Sequence, residues 1–148
     1  MKSHIYIFII CIVVNTQLVA QIVSDLAGSG TFGSIDANDS LASFASPTGV
    51  CADVSGNIYV VETSTIRKIT PLGVVTTIAG SAFDTGSADG TGSSARFYNP
   101  FGICIDPSGN IFVADTYNHK IRKITAGGVV TTLAGDGTLG SLDGTGTS

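Results

Sequence analysis

The chain has 148 residues, 7 Lys and Arg against 11 Asp and Glu, and a formal charge of -4. That balance excludes nucleic acid as the partner, because neutralising several phosphates takes a surplus of basic side chains. Its 19 glycines, absence of Trp and short β-branched runs exclude a helical bundle and point to an all-β chain with many reversals.

In chain order, Lys2 precedes the unbroken apolar run Ile5–Val14. The run has the length of a signal-peptide core and falls short of the roughly 20 residues a membrane span needs. Residues 1–20 therefore read as an export signal cut after Ala20, with a retained short anchor as the alternative. The expected location is secreted or extracytoplasmic, with no stable membrane association after cleavage. Cys11 falls in this signal, leaving Cys51 and Cys104 in mid-strand apolar contexts. Matching positions on neighbouring sheets lie too far apart for a disulfide, so two free, buried thiols are expected.

Beyond the signal the chain repeats itself. The run Pro47–Thr63 returns as Pro100–Thr116, Ile66–Thr70 as Ile121–Thr125, and Gly73–Gly80 as Gly128–Gly135. The offset grows because Tyr117-Asn118-His119-Lys120 is longer than Ser64-Thr65. Residues 21–46 are expected to hold a leading outer strand, matched on Val23–Gly28, and a crossing loop. Residues 47–80 form the first repeat, 81–99 a second crossing, 100–135 the second repeat, and 136–148 begin a further crossing. The second unit divides into strands Phe101–Asp106, Asn110–Asp115, Lys120–Thr125 and Val129–Ala134, separated by turn residues. Four antiparallel strands recurring at this period are the blade of a propeller. The expected fold is all-β: a propeller fragment of about two complete four-stranded blades plus partial flanking strands.

The patterns P-x-G-[VI]-C-x-D-x-x-G-N-I-[YF]-V-x-[DE]-T, N-H-x-I-R-K-I, V-x-T-x-A-G and D-G-T-G-x-x-A-R-F closely resemble the NHL repeat. The first unit departs from the pattern, lacking the Asn-His pair and carrying Glu62 in place of Asp. The resemblance implies a propeller, commonly six-bladed, whose relatives mostly bind proteins, ligands or RNA, and in a few cases are lactonases or lyases. Closure needs at least four blades. The chain is accordingly read as part of a longer propeller, its ring completed by further blades in cis or by self-association.

Alternating strand directions place the second-to-third turn and the crossings on one side of the blades. Asp84, Asp89, Tyr117, Asn118 and His119 are the candidates for a contact surface there. Phe97, with Arg96 beside it, is expected to pin the crossing. Glu62 and Asp115 recur in both units, which favours structural ion pairs with Arg67 and Arg122 over a single active site. Asp84 and Asp89 near a Gly-rich turn offer oxygen donors of the kind Ca²⁺ takes, but the alternating ligands of an EF-hand are missing. No cofactor and no metal site are expected. His119, the one His after the signal, lacks the partners of a catalytic pair or zinc site and reads as a turn residue. The expected role is a scaffold for an unidentified protein or small ligand, with no catalytic residue assigned. Part of a lactonase- or lyase-like metalloenzyme is the alternative.

Overall fold

The computed structural model describes residues 24–140 together with 143, 144 and 146. The expected signal at 1–20, with Cys11, lies outside the described residues. The described chain is all-β, relieved by three single-turn 3-10 helices at Asp39–Leu41, Gly92–Ser94 and Thr116–Asn118. Strands β1 (Gly49–Ala52), β2 (Ile58–Val61), β3 (Thr65–Ile69) and β4 (Val75–Gly80) form one antiparallel sheet in chain order. After a two-residue strand β5 (Gly90–Thr91), strands β6 (Gly102–Ile105), β7 (Ile111–Asp115), β8 (Lys120–Ile124) and β9 (Val129–Ala134) repeat that sheet. β5 comes from the crossing and adds a fifth, flanking strand against β9. The chain thus holds two blades of a β-propeller.

Local chemistry closes each hairpin. Between β1 and β2, Asp53 Oδ1 accepts the amides of Ser55 and Asn57, both at 2.9 Å, while Gly56 takes φ +80°. Asp106 repeats this with Ser108 at 2.9 Å and Asn110 at 2.8 Å, and Gly109 takes φ +81°. The carboxamides of Asn57 and Asn110 donate to the second oxygen of each carboxylate. Bonded first by these Asn side chains, both carboxyls are held below the ordinary carboxylate range.

Strand alternation sends β-branched and aromatic side chains to both faces of each sheet, and the faces toward the neighbouring blade make the main core. Tyr59, Val61, Ile66 and Ala79 of the first blade meet Ile111, Val113, Ile124 and Val130 of the second, with Phe97 of the crossing wedged among them. A smaller cluster of Ala42, Val60, Ile69 and Val75 packs the first crossing onto the opposite face of the first blade. At the inner edge, Thr48 Oγ1 donates to Pro100 O at 2.6 Å. A β-carbon on Gly49 would strike the Phe101 carbonyl, so glycine is what lets the two inner strands approach there. Both outer ladders slip by one residue at the same place, Ile66/Arg67 and Ile121/Arg122, and the bulges leave Ile78 and Leu133 out of the pairing.

Residues 24–28 form no ladder among the described residues, and Gly28 N–H donates to Asp39 O at 2.9 Å. One expectation needs correction. The thiols are free as expected, but Cys51 is only half-buried and Cys104 is exposed. Cys51 packs against the interblade core, and burial pushes its thiol up; Cys104 occupies the same position on a face that no described residue covers.

Phe97 is fully buried between the blades. Phe97→Ala is expected to cost about 3–5 kcal/mol of stability in urea unfolding. A loss under about 1 kcal/mol would place the ring outside the core.

Candidate functional site

Because strand directions alternate, the β2–β3 and β7–β8 turns share one side of the blades with the two crossings. The structure brings them together: Tyr117 N–H donates to Tyr98 O at 3.2 Å, and Thr63 N–H to Ala45 O at 3.3 Å. Beneath this side each blade buries an arginine completely.

In the second blade, Arg122 Nη1 donates to Asp115 Oδ2 at 2.8 Å and to Arg96 O at 3.0 Å. Its Nη2 donates to Asp89 Oδ1 at 2.7 Å and Ala88 O at 2.9 Å, and the guanidinium lies 5.2 Å from the Phe97 ring centre. In the first blade Arg67 repeats the arrangement with Glu62 at 3.0 Å, Asp36 at 2.8 Å, Ile35 O, Ser43 O and the Phe44 ring at 5.2 Å. Asp36 and Asp89 also reach the outer strand, accepting the amide and hydroxyl of Thr77 and of Thr132 respectively. Each arginine therefore joins the crossing to the third strand, the end of the second strand and, through the Asp, the fourth strand. A guanidinium serves here because one planar group offers five donors in several directions. Arg122 Nε has no hydrogen-bond partner among the described residues, whereas Arg67 Nε donates to Asp36 at 3.2 Å.

The departures of the first unit now have a physical explanation. Asp115 Oδ1 accepts Tyr98 N–H at 2.9 Å, and Glu62 Oε1 accepts the equivalent Ala45 N–H at 3.2 Å. The longer turn of the second unit supplies Asn118, whose amide donates to Asp115 Oδ2 at 2.8 Å and Gly86 O at 2.6 Å. The shorter first turn has no such Asn. There the extra carbon of Glu62 brings its carboxylate to Thr65 Oγ1 at 2.7 Å and Ser34 Oγ at 3.0 Å instead.

Of the contact-surface candidates, Asp89 and Asn118 are thus engaged inside the second latch, their polar atoms turned to Arg122, Thr132, Asp115 and Gly86. Burial pushes the Asp89 carboxyl up, but bonds from the Thr132 amide and hydroxyl and from Arg122 reverse this and hold it below its ordinary value. Asp84 is exposed and pairs with Arg96 at 2.8 Å. His119 caps the Thr116–Asn118 turn in the left-handed region at φ +52°, its amide donating to Thr116 O at 3.1 Å. Tyr117 is exposed. Among the described residues no group of three or more His, Cys, Asp or Glu could hold a metal ion.

What stands out on this side is aromatic. Tyr117 and Tyr98 lie with ring centres 5.1 Å apart, tilted by 45°, and Phe32 and Phe83 with centres 5.7 Å apart, tilted by 37°. All four rings are exposed. A shallow cleft of about 360 Å³ opens beside Phe32, between Asp25, Ser29, Thr31 and Phe44. Sequence reasoning picked out only Tyr117. Tyr98 carries a legible signal, standing where the first unit has Ala45, and is a large residue that breaks the repeat. Phe83 lies in Ser81–Thr85, one residue longer than the matching Ser29–Phe32, so each crossing carries one of the paired Phe rings.

Comparison with known proteins agrees with this architecture. The sequence pattern of the NHL repeat matches residues 97–124. The chain is 34 % identical over 117 residues to NHL repeat-containing protein 2 of Bos taurus, covering 70 % of this chain and 16 % of that protein. Among solved structures it resembles a protein of unknown function from Bacteroides thetaiotaomicron, at 32 % identity and TM-score 0.53 over 58 % of this chain and 23 % of that one. It also resembles an auxiliary nutrient binding protein of the same organism, at 25 % identity and TM-score 0.52 over 58 % of this chain and 25 % of that one. The chain spans about a sixth of the bovine relative and about a quarter of each of these structures. The two sheets with their buried arginines are blades of the NHL type. The chain carries NHL-type repeats on a β-propeller fold.

Two outcomes are expected of the latch. Asp115→Asn removes the fully buried one of the two carboxylates paired with Arg122 and should cost about 3–5 kcal/mol, whereas adding Arg122→Met to it should recover much of that loss in urea unfolding. A double variant no better than the single would contradict the ion-pair account. For Asp89, whose folded-state carboxyl titrates below its ordinary value of 3.8, the stabilisation is complete above that value and is lost as pH falls through the folded one. Asp89→Asn should therefore flatten the acid limb of the stability–pH profile, and an unchanged acid limb would count against the assignment.

Proposed function

We propose that this chain is an exported binding scaffold that holds a protein or small ligand on the crossing side of its blades, through Tyr98, Tyr117, Phe32 and Phe83. The observation that carries the reading is the exposure of these four rings together on the crossing side, two of them, Tyr98 and Tyr117, at positions the first unit does not fill with an aromatic. The latch beneath has a fold-level explanation; the rings above it have none. Aromatic side chains supply large contact area for few rotatable bonds, and they dominate the energetics of binding surfaces. The solved Bacteroides thetaiotaomicron relative described as an auxiliary nutrient binding protein supports a binding role for this blade type. The apolar run Ile5–Val14 supports export, and the small share of each relative that the chain covers supports its being part of a longer propeller.

The test is a screen of the exported protein on oligosaccharide and peptide arrays, followed by titration of whatever binds. The variant Tyr98→Ala/Tyr117→Ala should weaken binding by about thirty-fold or more, the effect of losing an aromatic anchor worth about 2 kcal/mol, while leaving the unfolding temperature in place. Binding that survives the double substitution unchanged would move the site elsewhere on the molecule. Recovery of secreted protein beginning at Gln21 would support the export signal, and retention of the uncut chain in the cell would contradict it.

A further inference from the structure

In the stretch Asn38-Asp39-Ser40 the first crossing carries an asparagine with a hydroxyl residue two places on and no Pro between. Asn38 is the one asparagine of the chain in that setting. In an exported chain the Asn-x-Ser/Thr pattern is the acceptor for a glycan on the carboxamide. The other asparagines among the described residues are explained without it. The carboxamides of Asn57 and Asn110 close hairpins on Asp53 and Asp106, and that of Asn118 bonds Asp115 and Gly86 O in the second latch. Asn99 is followed by Pro100, which bars it as an acceptor. Asn38 stands at the head of the Asp39–Leu41 turn, where an asparagine ordinarily accepts an amide, yet its side chain makes no such capping bond. The repeat-equivalent of Asn38 is Thr91, which caps nothing either, so the fold asks for no asparagine here.

The backbone around Asn38 is fixed. Asn38 O accepts Leu41 N–H at 3.0 Å, Asp39 N–H donates to Gly73 O at 2.9 Å, and Val75 N–H to Ala37 O at 2.9 Å. These bonds lay residues 37–39 along the outer flank of the first blade, with Asn38 paired to Val74. The second blade repeats the arrangement, since Thr91 pairs with Val129 and β5 is the edge strand of its sheet. Asn38 and Ser40 are both exposed. Their exposure does not depend on where the first blade stands in the chain. The equivalents Thr91 and Ser93 have a whole blade in front of them, with the Gly92–Ser94 turn packed on β4, and both remain exposed. A blade set before the first in the same geometry leaves Asn38 open to solvent in the same way.

We propose that Asn38 is an N-glycosylation site, taking an oligosaccharide from a polyprenyl diphosphate donor as the chain is exported. The inference rests on the export reading of residues 1–20, because the transferase and its donor act on the far side of the membrane. In the transfer, Asn38 Nδ2 attacks the anomeric carbon of the first sugar, and the bond from that carbon to the diphosphate oxygen breaks. The polyprenyl diphosphate leaves with the electron pair of that bond, and a carboxylate of the transferase takes one Nδ2 proton. The product is a secondary amide that keeps one N–H. The Ser40 hydroxyl is the group by which the transferase recognises the acceptor. A bulky, hydrated glycan on this outer flank keeps an unpaired sheet edge from pairing with another chain.

The experiment expresses the full chain in cultured animal cells and reads its mass in cell extract and medium, with and without peptide N-glycosidase. The expected result is a chain beginning at Gln21 that carries one discrete mass step. The glycosidase removes the step and leaves an aspartate in place of the modified amide. Asn38→Gln and Ser40→Ala should each abolish the step, and Ser40→Thr, which keeps the hydroxyl, should retain it. The sugar is added as the chain emerges, so the readout does not wait on folding. A step carried by an uncut chain would support the glycan and contradict cleavage alone. A chain beginning at Gln21 with bare polypeptide mass would overturn the inference and leave the export reading standing. An uncut chain of bare mass would overturn both, and a step that survives Asn38→Gln would overturn the assignment to Asn38.

Discussion

A buried arginine in each blade is the constraint on which the rest of the structure depends. A four-stranded sheet can bury its two faces against neighbours, but the long crossing that carries the chain from one blade to the next has no ladder of its own. Arg67 and Arg122 supply what the ladder does not. Each binds two carbonyl groups and an acid of the crossing, an acid at the end of the second strand, and the aromatic ring that the crossing carries. A charge placed at 0 % exposure is tolerable only when it is ion-paired and hydrogen-bonded. That requirement fixes Asp36 and Asp89, Glu62 and Asp115, and the crossing backbone at once. The fixed crossing in turn sets Phe97 between the blades and presents Tyr98 above them.

The blades were legible in the sequence because their signals are local. Alternating β-branched residues and the Asp-x-x-Gly-Asn turns place the second-unit strands to within about a residue of where they lie. The ion pair between Asp115 and Arg122 was legible too, since the two residues sit on adjacent strands and recur in both units. Asp89 is exposed as its loop position suggested, but its part in holding the arginine was not legible. Its partners, Arg122 and Thr132, follow 33 and 43 residues later, and nothing local marks the contact. Asp36 and Thr77 passed unnoticed for the same reason. Burial of the cysteines could not be read from the pattern at all: Cys51 and Cys104 have the same apolar neighbours in sequence, and they differ in the structure only because one faces a second sheet.

Repetition also separates scaffold from function. Residues present in both units, such as the arginines, their acids and the hairpin Asp-Asn pairs, are explained by folding. Tyr98 and Tyr117 occur once each, the first opposite Ala45 and the second in an insertion. Nothing in packing calls for them, and they stand exposed on the side where the crossings already gather.

Native-state hydrogen exchange tests the central claim most directly. The amides of Tyr98 and Thr132 are bonded to acids that Arg122 holds, although the first lies in a crossing and the second on an outer strand. If the arginine locks crossing to blade, both amides exchange with the same opening free energy as the central strand Ile111–Asp115. Exchange of the Tyr98 amide at the rate of an unstructured loop, while Ile111–Asp115 stays protected, would contradict the account.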